Sequence, residues 1–389
     1  MNVSLNGHCT RALAIVLALL VPCLSSAGDQ ATRLRSMVDR TIRPLMAEHQ
    51  IPGMAVALAI DGQSHVFSYG VASLQSRAPV TESTIFEIGS ISKMFTTTLA
   101  AYAQATGKLS LDDHPGQYIP RLQGRPIDQA TLLHLGTYTA GGLPLQFPDA
   151  VENDDAALAY LQTWQAQAPA GTVRDYSNPS IGLLGAVTAV ALNDRFATLV
   201  ETQLLREFGM RHSYIRVPAQ AMGDYAWGHR KGKAVRVNPG PMDEPAYGIK
   251  STGQDMIRFV QANIDPSELD APLRRAVEST QVGHFKVNGM VQGFGWEQFP
   301  YPLSRELLLG GHAEELIFEA NPAQPVPAQA ATEPRLFNKT GSTGGFAAYV
   351  VFVPAKRIGL VMLANRSYPI PARVEAAYAI LRQLAPSPR

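Results

Sequence analysis

The sequence predicts an α/β protein of the α+β kind. One antiparallel sheet is built from both ends of the chain and flanked by helices, and a mostly helical lobe is inserted alongside. Three observations predict it. Strand–turn–strand patterns occur near both termini, an amphipathic helix opens the first and closes the last, and the middle of the chain carries helical segments between Gly- and Pro-marked loops. Terminal pieces that each bury one face complete each other by sharing a sheet and a core.

Taken in order, residues 29–50 read as an amphipathic helix, with Leu34, Met37, Val38, Ile42, Leu45 and Met46 at three- and four-residue steps. Residues 53–60 (GMAVALAI) read as a strand, Asp61-Gly62 as a hairpin turn and 65–73 as the returning strand. Residues 90–106 read as a helix stopped at Gly107. From about 120 to 217 helical segments alternate with loops, among them Thr139-Ala140-Gly141-Gly142, and 181–192 is an apolar helix. Residues 347–353 and 358–364 flank Pro354-Ala355-Lys356-Arg357 as a second hairpin, and 373–384 form a closing helix with Val374, Ala377, Ile380 and Leu381 on one face. The Pro- and Ala-rich stretch 321–333 is expected to be a surface loop.

The chain has 389 residues, 46% hydrophobic and 17% charged, enough for a large core and too apolar for disorder. Arg11, the apolar run 12–20 and the small residues Ser25-Ser26-Ala27 read as a secretory signal cut after Ala27, so residues 1–27 are expected to be a leader and the site of action the periplasm. The formal net charge is +1, and without Arg11 there remain 32 basic and 32 acidic residues. A neutral protein has no global field to hold nucleic acid or an anionic membrane, which leaves a small molecule or a neutral polymer as the expected substrate. Cys9 and Cys23, the only cysteines, lie in the leader, so no disulfide, thiol nucleophile or cysteine metal site is expected in residues 28–389. The nine histidines form no H-x-H or H-E-x-x-H run, so neither metal nor other cofactor is expected, and His312 reads as a solvated loop residue.

Three short motifs carry chemistry. Ser90-Ile91-Ser92-Lys93 is an S-x-x-K at a helix start, where a three-residue step returns Lys93 to the face of Ser90. A serine needs such a neighbour to become a nucleophile. Tyr176-Ser177-Asn178 precedes the apolar helix and offers a phenol for proton transfer and an amide for orientation. Lys339-Thr340-Gly341-Ser342 precedes the strand 347–353 and offers a cation and hydroxyls beside a glycine that admits close approach. Each motif is weak by itself; their order along the chain is far more specific. S-x-x-K with S-D-N and K-T-G marks class A β-lactamases and penicillin-binding proteins; here Y-S-N stands in the middle position.

With that substitution the chain resembles the class C β-lactamases. The resemblance extends through FEIGSISKMFT, LLHLGTYTAGGLPLQ, DYSNPSIGLLG, YAWGHRKGKAVRVNPG, AYGIKST, NKTGSTGGFAAYV and GLVMLANRSYPIPARVEAAY, from about residue 30 to the C-terminus. It implies a β-lactamase/DD-peptidase-like fold in a single domain, 28–389. The sheet lobe would hold about 28–88 and 228–389, the helical lobe about 89–227. It implies hydrolysis of β-lactam antibiotics, cephalosporins before penicillins, by a monomer without membrane attachment once the leader is gone. Ser90 would attack the lactam carbonyl, Lys93 or Tyr176 would take its proton, and the N–H groups of Ser90 and Ser342 would hold the oxyanion. Tyr176, with Lys339, would protonate the leaving nitrogen. Lys339, Thr340 and Ser342 would hold the substrate carboxylate along the Gly341 backbone, Gln146 and Asn178 the acyl amide, and Tyr247 would wall its side chain. Ile370 and Ser367 stand where the family commonly has asparagines, so carboxylate recognition is expected to be weaker. A D-alanyl-D-alanine carboxypeptidase and an esterase of the same fold share these residues; a G-x-S-x-G elbow is absent at Ser90, which speaks against an α/β-hydrolase.

Overall fold

The computed structural model describes residues 1, 21–328 and 332–384; Arg11, the apolar run 12–20 and Cys9 lie outside them. The main sheet has nine strands. In chain order these are β1 (Gly53–Ile60), β2 (Gln63–Gly70), β3 (Gly283–Val287), β4 (Met290–Gly293), β5 (Glu297–Pro300), β6 (Gln324–Pro325), β7 (Arg335–Ser342), β8 (Ala347–Val353) and β9 (Ile358–Ala364). Across the sheet they run β6-β3-β4-β5-β7-β8-β9-β1-β2, each antiparallel to its neighbours. The two ends of the chain meet where β1 pairs with β9, from Met54 opposite Ala364 to Ile60 opposite Ile358. The shared sheet read from the sequence is therefore present. The first hairpin turns at Asp61 and Gly62, both with positive φ as a two-residue turn of this hand requires.

β8 and β9 are buried along their whole length, which explains why they read as unbroken apolar runs (AAYVVFV, IGLVMLA) and not as alternation. Both faces are covered. On one lie α1 (Val21–Glu48) and the closing helix α6 (Ile370–Leu384), whose Val38, Ile42, Val374 and Ile380 pack on Val56, Leu58 and Leu360. On the other lie α4 (Gly253–Ile264) and, beyond it, the helical part of the molecule. The edge strand β2 shows partial alternation instead, burying Phe67 and Tyr69 between more exposed residues.

At the centre of the helical part is α2 (Ser92–Ala105), packed between α3 (Asn178–Ala191) and α5 (Ala271–Thr280). Nearly every α2 side chain is buried, including three consecutive threonines. Their hydroxyls are satisfied: Thr98 donates to Met94 O at 2.7 Å and Thr97 to Lys93 O at 3.1 Å within the helix, and Thr96 to the distant Pro245 O at 2.7 Å. Phe95 stacks on Phe259 of α4 at 4.2 Å between ring centroids, which ties α2 to the sheet layer. Each fully buried side chain of this size contributes about 1.5–3 kcal/mol. Among the described residues no single helix is long and apolar enough to cross a membrane.

Several details differ from the sequence reading. The opening helix extends back to Val21, and the closing helix begins at Ile370 rather than 373. β3 to β5 are strands the sequence did not disclose, because their short apolar runs are interrupted by Gln292, Gly295 and Glu297. The stretch 321–333 is not wholly loop, since Asn321–Pro322 pairs with Val173–Arg174 and β6 pairs with β3. Proline lacks a donor, so such pairings occur at edges. Lys339 precedes β8 as expected but itself lies inside a further strand, β7, so its direction is set by a ladder.

Candidate active site

Ser90 stands in a 3-10 turn, Gly89–Ile91, that leads directly into α2, one step before the α-helix the sequence placed it in. The three-residue relation survives, and Lys93 Nζ lies 2.9 Å from Ser90 Oγ. Lys93 is fully buried and also donates to Asn178 Oδ1 at 2.6 Å and to Ala246 O at 2.8 Å. Asn178 is the first residue of α3, whose N-cap is Ser177, and Ala246 belongs to the short helix Asp243–Tyr247. A carbonyl oxygen can only accept. Two N–H bonds of the amine are thereby committed, and its third position points at Ser90 Oγ. That position holds a proton in the ammonium and a lone pair in the neutral amine. Burial pulls the Lys93 pKa down to about 8, opposed by Tyr176 and assisted by the charge of Lys339. The neutral form is thus accessible near neutral pH.

Tyr176 follows the strand Val173–Arg174 and reaches the same spot. Its ring is partly exposed, but its hydroxyl is closed to solvent and makes no hydrogen bond within normal limits. Lys339 Nζ and Lys93 Nζ lie 4.8 and 5.1 Å from its ring centroid. Burial would raise the phenol; the two ammonium groups, Lys339 first, overcome it and bring the pKa down to about 8. Lys93 and Tyr176 form one coupled proton-holding unit.

Lys339 is itself buried and lies 3.5 Å from Glu297 Oε1. Burial would discharge it, but Glu297, then Tyr176, hold its pKa above the ordinary lysine range. Glu297 on β5 also faces Arg174, at 3.5 Å, and His312, at 3.9 Å. Arg174 donates further to Gln292 Oε1 at 2.8 Å and Leu316 O at 2.7 Å. Sequence reasoning missed this layer. A lone carboxylate inside FGWEQFP was its one signal, since a buried charge needs partners. His312 corrects an expectation: it is buried, not solvated, and burial holds its pKa down at about 4, so it is neutral.

Backbone proximity completes the arrangement. Gly89 has φ +53°, and a side chain there would meet Ser342 N at 2.5 Å; one at Gly341 would meet Ile88 O at 2.0 Å. These two glycines let β7 lie directly against the serine turn, bringing the Ser342 N–H beside Ser90. Arg373 of α6 braces the strand, donating to Gly341 O at 2.7 Å and Ser342 Oγ at 3.0 Å. Ser90, Gln146, Tyr176, Asn178, Tyr247, Lys339, Thr340 and Ser342 all line one cleft of about 600 Å³, with Ile370 and Ser367 on its wall. Lys93 lies beneath its floor, and Gly341 forms the backbone between Thr340 and Ser342. Every residue singled out in the sequence is thus in one place. A nucleophile touching an amine and a phenol held between two cations suit acyl transfer.

Comparison with known proteins agrees with this geometry. The family model described as Beta-lactamase matches residues 38–385. A Beta-lactamase of Pseudomonas fluorescens is 48% identical over 353 residues, covering 90% of this chain and 99% of the relative. A Beta-lactamase of Escherichia coli (strain K12) is 41% identical, covering 94% and 98%. Among solved structures, D-alanine carboxypeptidase AmpC from Burkholderia cenocepacia superposes with a TM-score of 0.86 at 49% identity, covering 91% of this chain and 99% of that one. A class C beta-lactamase in complex with cefoxitin superposes with a TM-score of 0.88 at 44% identity, covering 91% and 99%. With a family model spanning most of its length and relatives this similar end to end, the chain belongs to the beta-lactamase family.

Proposed function

We propose that the protein is a class C serine β-lactamase that opens the lactam amide through an acyl-enzyme on Ser90. The observation that carries this reading is the Lys93 amine, pinned by two obligate acceptors so that its remaining position meets Ser90 Oγ at 2.9 Å. In the neutral amine that position is a lone pair aimed at the serine proton. Lys93 takes this proton as Oγ bonds to the lactam carbonyl carbon. The carbonyl oxygen gains charge between the N–H groups of Ser90 and Ser342, a contribution of about 3–4 kcal/mol per donor in comparable sites. The C–N bond then breaks, and Tyr176, charge-balanced by Lys339, returns a proton to the nitrogen. Water attacks the ester by the reverse proton route. Lys339, Thr340 and Ser342 hold the substrate carboxylate, Gln146 and Asn178 the acyl amide, and Tyr247 packs on its side chain. The leader, residues 1–27, directs the protein to the periplasm, where residues 28–389 act as a monomeric domain, and cephalosporins are the favoured substrates.

The resemblance to a structure described as a D-alanine carboxypeptidase supports a second reading. Both enzymes acylate the same serine; they differ in how fast water clears it. Steady-state hydrolysis of a chromogenic cephalosporin beside release of D-alanine from a D-Ala-D-Ala peptide separates them. Sustained turnover of the cephalosporin at many equivalents per enzyme, abolished in Ser90→Ala, is expected. A burst of one equivalent followed by stalling, with steady D-alanine release, would move the assignment to the peptidase.

A further inference from the structure

The loop after β7 has a second side. Its inner side closes the catalytic cleft; on its outer side Thr343 and Gly344, with Ser367, share a recess of about 350 Å³ with four basic side chains. These are His229, Arg230, Lys231 and Arg366. The strand Gly228–Arg230 folds back on Lys233–Val235 through a tight turn at Lys231, so Arg230 and Lys231 are presented on a short hairpin. The hairpin is clamped to the end of β9: His229 N donates to Asn365 O at 3.0 Å, and His229 bridges to Arg366. The Arg230 guanidinium lies over Gly344, 3.6 Å from where a side chain there would begin.

Two independent features show that this recess is short of acceptors. Arg121, Arg305 and Arg357 pair with carboxylates, while some other surface arginines are single and solvated; here three cations converge on one recess. Among the described residues no carboxylate lies within 4.0 Å of Arg230, Lys231 or Arg366; Arg366 reaches only the amide of Gln50, at 3.4 Å. Glu87, on the inner side of the loop, is engaged by Thr343 Oγ1, by the Tyr225 hydroxyl at 2.6 Å and by Val237 N at 2.7 Å. Moreover, His229 is only 6% exposed and its Nε2 has no partner, nor has the buried Nε of Arg366. Burying a donor or acceptor without a partner costs about 1–3 kcal/mol, so a partner that reaches His229 Nε2 from the recess would be favoured.

We infer that this recess is an oxyanion-binding site, in which Arg230, Lys231 and Arg366 surround a carboxylate, sulfate or phosphate group and His229 Nε2–H donates to it from below. Three cations and a buried donor are the chemistry of such a group, and a neutral ligand would leave all three cations unpaired. The anion has two possible sources. One is a free inorganic oxyanion. The other, which rests on the β-lactamase reading, is a second acidic group of the substrate, because Thr343, Gly344 and Ser367 line both the recess and the cleft.

The test is a titration of the whole chain with sodium sulfate at constant ionic strength, following the ring nitrogens of His229 by NMR. A saturable shift at His229 is expected, with affinity at least about tenfold weaker in Arg230→Gln/Arg366→Gln, whose circular dichroism is unchanged. A second arm compares β-lactams bearing one and two anionic groups. If the substrate supplies the anion, sulfate raises KM for the doubly charged one alone, and the double variant raises that KM about tenfold at unchanged kcat. If a free oxyanion is the ligand, both substrates respond to sulfate alike. No saturable shift at His229, or an equal shift in the double variant, overturns the site. The sulfate arm requires no turnover and is readable even if no β-lactam is hydrolysed.

Discussion

Lys93 and Tyr176 owe their chemistry to being crowded among charges. For Lys93 burial is the dominant influence and favours the neutral amine; for Tyr176 the cations of Lys339 and Lys93 outweigh burial and favour the phenolate. On the proposed mechanism Lys339 has an electrostatic duty toward Tyr176 as well as a grip on substrate. In Lys339→Ala a cation is removed from beside the phenolate, so the Tyr176 pKa should rise from about 8 toward the ordinary 10, read by NMR of ring-labelled tyrosine. The catalytic rate should fall by about 100-fold or more. An unmoved Tyr176 titration would mean that Lys339 acts on the substrate alone. At this scale the sequence was informative about which side chains cluster and silent about their support. Ser90, Lys93, Tyr176 and Lys339 sit in compact motifs. Glu297, Arg174 and His312 come from three separate segments, and a partnership across more than a hundred residues leaves no local spacing to read.

Among the elements, the junction between the serine turn and β7 decides whether the site exists. At this junction Gly89 and Gly341 let chain meet chain without room for a methyl group. Gly341→Ala would put a carbon 2.0 Å from Ile88 O, so strand or turn must move. Displacement of about 1 Å in such a site costs on the order of 100-fold in rate. That loss is expected in the acylation step, by stopped flow with a chromogenic substrate, while far-ultraviolet circular dichroism stays native. Near-normal acylation would show that the contact is not needed for the oxyanion. Both hairpins near the termini were legible because continuous apolar runs and turn residues report directly on buried strands. β3 to β5 were not, because each is short and carries polar groups whose partners are distant in sequence, as Arg174 is from Gln292.

For the whole molecule, the sheet shared between both ends was legible in the sequence, but which polar groups it would bury was not. Two histidines, His312 buried and His284 partly buried, make stability depend on pH. Burial depresses both His312 and His284 from the model-compound value of 6.5 to about 4. The unfolded chain binds these protons near pH 6.5 and the native one only near pH 4, so stability is full above 6.5 and falls as pH drops through that window. His312→Asn should flatten the decline of Tm between pH 6.5 and 4; an unchanged slope would place the acid sensitivity elsewhere. The central claim, that Ser90 becomes an ester during turnover, is tested most directly by rapid-quench mass spectrometry of the intact protein with a cephalosporin. The expected result is a transient adduct on the Ser90 peptide that forms and clears at least as fast as turnover and is absent in Ser90→Ala. Turnover that persists in Ser90→Ala, or an adduct mapped to another residue, would contradict it.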